Sequence, residues 1–297
     1  MNLRNSFHPY AAVTILFWSL AYVLTRLTLR YFSAFPLGFL RYAIASAALL
    51  ATVVLLRLRA PDRKDLPWFL AAGAAGFFLY MIAFNQGQAT VTAATGSVVI
   101  ATVPVITAVL ARFLYQEKLA AYQWFAILVE FTGVVVLTLM NGTFSVNAGV
   151  FWLLFAALLL SVYNLLQRKL TQKYTALQAT AYSIFCGTLM LAVFAPAAAR
   201  EIASAPAVQF LYLAVLGVCS SAAAYVAWAK AFAKARQTSQ VSNYMFVTPF
   251  LTSVLGFLLA GEVPDSATLI GGGIIMTGVL IFNCAASIRG PFRKRNG

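Results

Sequence analysis

The chain has 297 residues and a net charge of +14, and 62% of its residues are hydrophobic while only 9% are charged. A soluble domain is usually nearer half apolar and a quarter charged, so the composition excludes an ordinary soluble enzyme and a disordered chain. The positive charge would suggest nucleic acid in a soluble protein, but almost no water-facing domain remains here to carry such a patch. We therefore expect the lipid bilayer as partner and no nucleic acid.

Ten apolar stretches follow one another along the chain, each about 20 residues long. A helix of that length crosses a ~30 Å hydrocarbon core. Turn or charge signals separate the stretches, and the runs show no alternation of the kind a β-barrel needs. The predicted spans are 9–29, 35–57, 66–86, 93–115, 120–140, 148–168, 176–196, 206–229, 237–260 and 266–288. The expected fold class is all-α integral membrane with ten transmembrane helices.

Lysine and arginine residues concentrate on one side of the predicted bundle. Counting the loops in turn places 17 of the 21 on the side of the N-terminus and 3 on the opposite side, with Arg41 inside the second span. Cytoplasmic loops carry the excess of positive charge, so we expect both termini in the cytoplasm. One missed helix would scramble the alternation, so the count also supports ten spans.

The chain repeats itself with an offset of 145 residues. Residues 104–134 and 249–279 share nine identities over 31 ungapped positions. The distinctive matches are Pro104 with Pro249, Glu117 with Glu262, and Gly133-Val134 with Gly278-Val279. We predict a five-helix repeat over 1–142, a second over 143–288, and a basic cytoplasmic tail over 289–297. Because five is odd, the second repeat enters the membrane from the opposite face, an inverted arrangement typical of transporters with a central site.

These features resemble the drug/metabolite transporter superfamily, in particular its EamA-type ten-helix members. The resemblance rests on Pro104 and Glu117 followed by Trp124 and Gly133-Val134, repeated at Pro249, Glu262 and Gly278-Val279, together with Phe17-Trp18-Ser19 and Leu40-Arg41-Tyr42. Within that family the chain is most similar to bacterial exporters of aromatic amino acids and related metabolites. The resemblance implies alternating access and export of aromatic and other neutral amino acids through the bacterial inner membrane. We expect a monomer to be functional.

The fourth and ninth spans carry a proline at equivalent points, Pro104 and Pro249, and are polar before it. The prolines free backbone carbonyls and are candidate hinges. Polar side chains at membrane depth line a cavity or bind helices to one another. Mid-span aromatics with polar neighbours suit a planar substrate with a small polar head, although many membrane aromatics are only interface anchors. The candidate substrate-binding residues are Trp18, Tyr80, Tyr163, Asn164, Asn243 and Tyr244.

Two charged residues lie inside predicted spans. Arg41 is a candidate carboxylate partner, since arginine binds carboxylates with two parallel hydrogen bonds. Its alternative is to snorkel to the outer interface. Glu130 lies near the middle of the fifth span and is a candidate proton-coupling site, because intramembrane carboxyl groups serve as proton relays. The alternative is facilitated diffusion without a coupling ion, since the spans contain no paired acids.

Other classes of protein are less consistent with the sequence. One histidine and three cysteines, all apart, give no metal cluster, and no nucleophile motif or phosphate loop is present. We therefore expect no cofactor, no metal and no enzymatic activity. Nothing resembles a channel filter. The remaining alternative keeps the fold and changes the cargo to drugs or nucleotide sugars.

Overall fold

A computed structural model describes residues 6–115, 120–139, 148–235, 241 and 243–289. These residues are helical throughout, apart from short connections. The helices, labelled α1 to α10 in chain order, are α1 (His8–Thr28), α2 (Ala34–Leu55), α3 (Leu66–Gly73, Ala74–Leu79 and Tyr80–Thr90), α4 (Ala93–Ile100 and Val103–Tyr115), α5 (Ala121–Leu139), α6 (Ala148–Leu170), α7 (Ala176–Leu191, continued to Ala203), α8 (Ala207–Lys234), α9 (Asn243–Val247 and Thr248–Ala260) and α10 (Ser266–Arg289).

Seven helices in the described part of the chain are long and apolar enough to cross a membrane, by length and composition. They correspond to α1, α2, α3, α4, α6, α7 and α8. Shorter apolar helices occur at Thr248–Ala260 and Thr268–Gly278. The helical, membrane-type fold is thus confirmed, and the count of ten crossing helices stays a prediction.

Local sequence sets several helix boundaries. Thr92 starts α4, and its Oγ1 accepts a hydrogen bond from the Thr95 amide at 3.1 Å. Thr175 and Gln178 form a capping box at the start of α7, which satisfies two amides that would otherwise have no partner. Gly261 ends α9 in the left-handed conformation, with φ of 64°, where a side chain would be strained.

Two helices contain wide π-helical turns, and the first overlaps the second when it is shifted by the repeat offset of 145 residues. The turns are Ala74–Leu79 in α3 and Val215–Ala223 in α8. A π turn bonds each amide to the carbonyl five residues earlier, and such turns are common at functional sites. Tyr80 follows the first turn directly, and Tyr225 lies two residues after the second.

Both candidate hinge prolines stand just after an interruption of their helix. In α4 the helix is broken at residues 101–102, and Pro104 is the second residue of the next segment. In α9 a 3-10 segment, Asn243–Val247, precedes the helix in which Pro249 is second. Proline is tolerated at the start of a helix because the amide it lacks would have no helical partner there.

The helices pack in pairs that reflect the repeat. Helix α1 packs on α8 and α9, and α6 packs correspondingly on α3 and α4. Helix α2 contacts α7 and α8, while α7 contacts α2 and α3, and the most extensive contact among the described helices is that of α5 with α10. If each helix of the first predicted repeat is exchanged with its equivalent in the second, α1 with α6 and so on, the same helices remain in contact.

Polar contacts tie connections at both ends of the bundle. At the lysine-rich end, the Lys173 ammonium lies 2.6 Å from Asp62 and 2.5 Å from Asp65, which joins the α2–α3 and α6–α7 connections. Hydrogen bonds from Lys173 and Tyr174 lower the pKa of Asp65, and the hydrogen bonds to Asp62 and Asp65 raise the pKa of Lys173. At the other end, Glu201 accepts hydrogen bonds from Ser33, which ties α7 to the start of α2.

Candidate functional site

A narrow cavity lies at the centre of the bundle, beside the break in α4. It is nearly closed, since only about 20 Å³ of it is open to water-sized molecules. Its walls come from both predicted repeats. The lining residues are Trp18, Ala21, Tyr22, Arg41, Tyr80, Phe84, Ser97, Ile100, Ala101, Leu160, Tyr225, Met245 and Thr248.

Aromatic side chains make up much of the cavity wall. Tyr80 and Phe84, one helical turn apart, stack with ring centroids 5.5 Å apart, and Phe84 meets the edge of Tyr22 at 5.2 Å. On another side, Trp18 lies 5.0 Å from Tyr225. Aromatic pairs at these distances contribute roughly 0.5–1.5 kcal/mol each beyond their buried area. The wall is therefore suited to hold a flat apolar group.

The wide turn of α8 holds the tryptophan in place. The Trp18 indole nitrogen donates to the Ser220 carbonyl at 3.2 Å, and the Ser220 hydroxyl donates to the Phe17 carbonyl at 2.9 Å. The turn therefore offers one carbonyl to a side chain of α1. This fixes the indole at the cavity wall.

Arg41 brings a buried positive charge to the cavity. Only 4% of its surface is exposed, and its Nε donates to the Ser221 hydroxyl at 2.6 Å. Among the described residues no carboxylate lies within ion-pair distance of its guanidinium. A buried charge is costly unless an opposite charge accompanies it. The cavity can therefore accept an anionic group, and the burial does not fit a side chain that snorkels to an interface.

Smaller polar groups complete the cavity lining near the helix breaks. Ser97 donates its hydroxyl to the Ala94 carbonyl at 2.7 Å. The Thr248 hydroxyl is buried and has no hydrogen-bond partner within the described ranges. This hydroxyl is thus available to a polar group that enters the cavity.

The structure places the predicted binding residues in two groups. Trp18, Tyr80 and Arg41 line the cavity together. Tyr163 and Asn164 are fully buried in a layer behind that wall. There the Tyr163 ring meets Phe77 at 5.0 Å, and Asn164 Oδ1 accepts from the Trp228 indole at 3.4 Å.

The last two predicted binding residues begin α9. The hydroxyl of half-buried Tyr244 is hydrogen-bonded to Nδ1 of His8 at 2.5 Å, away from the cavity lining. The side chain of Asn243 falls outside what the structure describes, as do Glu117 and the tail beyond residue 289.

Glu130 lies in the interface between α5 and α10 and is not part of the cavity lining. Its side chain is buried, and its Oε1 has no hydrogen-bond partner among the described residues. It packs against Gly278 of α10, where an added Cβ would come within 2.6 Å of Glu130 Cγ. A proton taken up here would thus be separated from a substrate in the cavity.

One carboxylate, that of Glu262, connects several helix ends beyond the cavity. Glu262 Oε2 accepts from the Ala93 amide at the start of α4 at 3.0 Å, and Oε1 lies 3.5 Å from Arg26 Nε. Arg26 also donates to the carbonyls of Gln88 at 3.1 Å and Ala89 at 2.7 Å. We call this group the Glu262 latch, and it joins the ends of α1, α3, α4 and α9.

Sequence reasoning left Tyr22, Phe84, Tyr225 and Thr248 out of the proposed site. The signal was present for three of them. Tyr22 and Phe84 each follow a predicted residue by four positions, so each shares a helix face with it, and Tyr225 is the repeat mate of Tyr80. Thr248 could not be distinguished from the other polar residues of the ninth span.

A family model described as the EamA-like transporter family matches the chain twice, over residues 7–139 and 147–284. The chain belongs to the EamA-like transporter family. It is a multi-pass membrane transporter with a small-molecule substrate and not an enzyme.

Several named relatives are transporters. The chain is 30% identical to the uncharacterized transporter YdfC of Bacillus subtilis (strain 168), over 88% of this chain and 86% of that one. It is 29% identical to a probable terminal-alkyne amino-acid exporter of Streptantibioticus cattleyicolor, over 91% of each chain. It is 25% identical to an S-adenosylmethionine uptake transporter of Rickettsia prowazekii, over 83% and 82%.

A solved crystal structure supports the fold. It matches with a TM-score of 0.65 at 20% sequence identity and covers 94% of this chain and 96% of the other. The similarity extends over nearly the whole of both chains. At this identity it concerns the fold alone.

Proposed function

We propose that this transporter exports aromatic and other neutral amino acids from the bacterial cytoplasm through the inner membrane. The observation that carries the proposal is a buried guanidinium, without an acidic partner in the described residues, in a cavity with five aromatic side chains in its wall. An aromatic amino acid offers a carboxylate to Arg41 and a ring to Trp18, Tyr22 and Phe84. The relative named as an amino-acid exporter supports the same class of cargo.

We assign the residue roles according to whether each side chain lines the cavity or lies behind its wall. Arg41, Trp18 and Tyr80 contact the substrate, and Tyr163 with Asn164 supports the wall from behind. Asn243 and Tyr244, at the start of α9, contact the substrate in another conformation of the bundle. Pro104 and Pro249 mark the points about which α4 and α9 bend.

Transport is proposed to occur by alternating access between two inverted five-helix repeats. The double family match, the self-consistent helix pairing, the paired wide turns and the paired prolines support this arrangement. Two similar halves can exchange conformations, so that a state open to one side becomes the state open to the other. A monomer with both termini in the cytoplasm is sufficient for this cycle.

Nucleotide sugars and drugs are less suited to the cavity. Among its described lining residues, Arg41 is the one charged side chain. A diphosphate needs more than one cationic partner at this depth, and an uncharged drug leaves Arg41 without one. A single carboxylate matches the single guanidinium.

Counterflow in proteoliposomes tests the proposed cargo. Proteoliposomes that contain the purified protein are loaded with unlabelled phenylalanine. Uptake of labelled phenylalanine, tryptophan, leucine and a nucleotide sugar is then compared. We expect saturable counterflow that is strongest for the aromatic amino acids. Counterflow of the nucleotide sugar alone would overturn the assignment, and an ohmic current in its place would indicate a channel.

A pH gradient tests Glu130 as the proposed proton-coupling site. We expect an imposed gradient to drive accumulation in the wild type and not in Glu130→Gln, because the amide cannot carry a proton. Counterflow without a gradient serves as the control and should persist in the variant. Equal accumulation by both proteins would remove Glu130 from the mechanism.

Compartment labelling tests the inverted arrangement. Thr90→Cys and Ala235→Cys, each in a chain without its native cysteines, mark the ends of α3 and α8. We expect an impermeant thiol reagent to reach position 90 from outside the cell and position 235 from the cytoplasm only. Access to both positions from the same compartment would overturn the topology.

A further inference from the structure

A second concave surface lies on the outside of the bundle, where α1, α2, α7 and α8 meet. This groove contains about 490 Å³ wide enough for water and is lined mainly by alanine, leucine and valine side chains. It is separate from the central cavity, with which it shares no lining residue. We call it the α2–α8 groove.

The length of the groove matches one leaflet of a membrane. Along α8 it extends from Val218 to Lys230, which is about 18 Å at the helical rise of 1.5 Å per residue. Half of a ~30 Å hydrocarbon core is about 15 Å. On α2 the groove runs from Ala48 to Leu56, at the end of that helix. Both directions lead to the lysine-rich end of the bundle.

The groove has its charged lining residue, Lys230, at that end, and apart from Tyr10 and Thr52 the other lining residues are apolar. Lys230 is exposed, and its ammonium lies 5.8 Å from the centroid of the Tyr10 ring. The Lys234 ammonium lies 5.5 Å from the same ring. No acidic side chain of the described residues forms an ion pair with Lys230. Two cations therefore meet above an apolar channel, at the depth of lipid headgroups.

We propose that the α2–α8 groove binds an anionic phospholipid, with an acyl chain in the channel and its phosphate at Lys230 and Lys234. Basic pockets between membrane helices select anionic headgroups, because each lysine near the surface attracts them. The apolar lining matches the chain, and the paired lysines match the charge.

The position of the groove gives this lipid a structural role. Val218 and Ala222 line it and belong to the wide turn of α8. The same turn presents Ser220 to Trp18 and Ser221 to Arg41 on the cavity side. A bound acyl chain thus packs against the back of the segment that positions the cavity wall.

The chain offers a matched comparison. Another outer groove, of about 280 Å³, lies between α2 and α7 and includes Ala47, Leu50 and Leu189. No basic residue lines it. Filling it should not affect selection between headgroups.

Thermal unfolding of the delipidated full-length protein tests the proposal. Phosphatidylglycerol and phosphatidylcholine with identical acyl chains are titrated, and the rise in Tm is followed. We expect phosphatidylglycerol to stabilise the wild type at lower concentration than phosphatidylcholine. Each of the variants Lys230→Gln and Lys234→Gln should raise the half-saturating concentration of phosphatidylglycerol about fivefold. Ala223→Phe, which fills the groove, should abolish the preference for phosphatidylglycerol.

Two control variants separate this site from general attraction to negative lipids. Ala47→Phe fills the uncharged groove, and Lys169→Gln removes a cation that lies over the Trp68 ring at the same end. We expect both to keep the wild-type preference. Equal stabilisation of the wild type by the two lipids would overturn the proposal, and so would an equal loss in Lys169→Gln and Lys230→Gln. The lipid-free Tm of each variant reports whether it folds.

Discussion

Arg41 combines three properties that together define the chemistry of the cavity. It is buried, it uses its Nε on Ser221, and it faces aromatic rings rather than a carboxylate of the described chain. A hydrogen bond to a charged group contributes about 1.5–3 kcal/mol. The carboxylate of a substrate would therefore depend strongly on this one side chain.

Replacing Arg41 should impair the binding of substrates that carry a carboxylate and spare those that lack one. We expect Arg41→Gln to weaken phenylalanine binding roughly 10-fold to 100-fold, because the charge-assisted hydrogen bonds are lost. Phenethylamine, which lacks the carboxylate, should not lose affinity. Inhibition of phenylalanine counterflow by each compound measures both effects, with Arg41→Lys as the charge-retaining control. Unchanged phenylalanine affinity in Arg41→Gln would contradict the assignment.

Individual positions show how far sequence reasoning reaches. The sequence predicts Trp18 and Tyr80 as mid-span aromatics of a binding site, and both line the cavity. The same argument selected Tyr163, yet its ring lies one layer behind. The two repeats are similar but not identical in packing, since Gly76 leaves space for the Tyr163 ring and an added Cβ there would come within 2.3 Å of it. That difference depends on the rotation of α6, which periodicity does not fix.

At the scale of helices, α5 and α10 form the most extensive pair in the described part of the chain. Gly133 of α5 lies against Gly271 and Ile275, and Gly278 of α10 lies against Ala126 and Glu130. Small residues let helix backbones approach closely in a membrane, where van der Waals packing drives association. The offset repeat predicted that these two glycines are equivalent, but not that they face each other's helix.

A methyl group on this interface should separate the pair. In Gly278→Ala the new Cβ would lie 2.9 Å from the Ala126 carbonyl and the Glu130 amide, and backbone cannot move aside as a side chain can. Overpacking of this kind costs about 1–3 kcal/mol, so we expect Tm to fall by several degrees. Gly273→Ala, on the same helix with nothing within 4 Å, should leave Tm unchanged or higher. Equal shifts in the two variants would contradict the packing argument.

For the whole molecule, the Glu262 latch joins the two halves beyond one end of the cavity. The predicted topology assigns this end to the outer side, and on the proposed alternating access it has to open. Helices α1 and α4 of one half are joined there to the α9–α10 connection of the other half. Glu262 lies before α10, yet it is Asp265 that accepts from the Thr268 amide at the start of that helix, at 2.7 Å.

Removing the latch should favour the outward-open state. Glu262→Ala removes the partner of the Ala93 amide, and loss of a helix cap costs about 0.5–2 kcal/mol. If opening this end breaks the contact, as the proposed cycle requires, we expect the outward-open population to rise roughly twofold to thirtyfold. Labelling of Ser97→Cys from outside, in a chain without its native cysteines, measures this. Glu201→Ala, which releases Ser33 but not α4, is the control, and an equal increase there would contradict the latch.

The wide turns of α3 and α8 have a historical consequence. Each adds residues to a turn and so rotates everything that follows it about the helix axis. On the proposed duplication, a distortion that both halves carry predates the event that produced them. The half-length ancestor would then already have presented a tyrosine close behind a distorted turn. Two such subunits, inserted in opposite orientations, would have enclosed a passage lined by aromatic rings before a single gene encoded both.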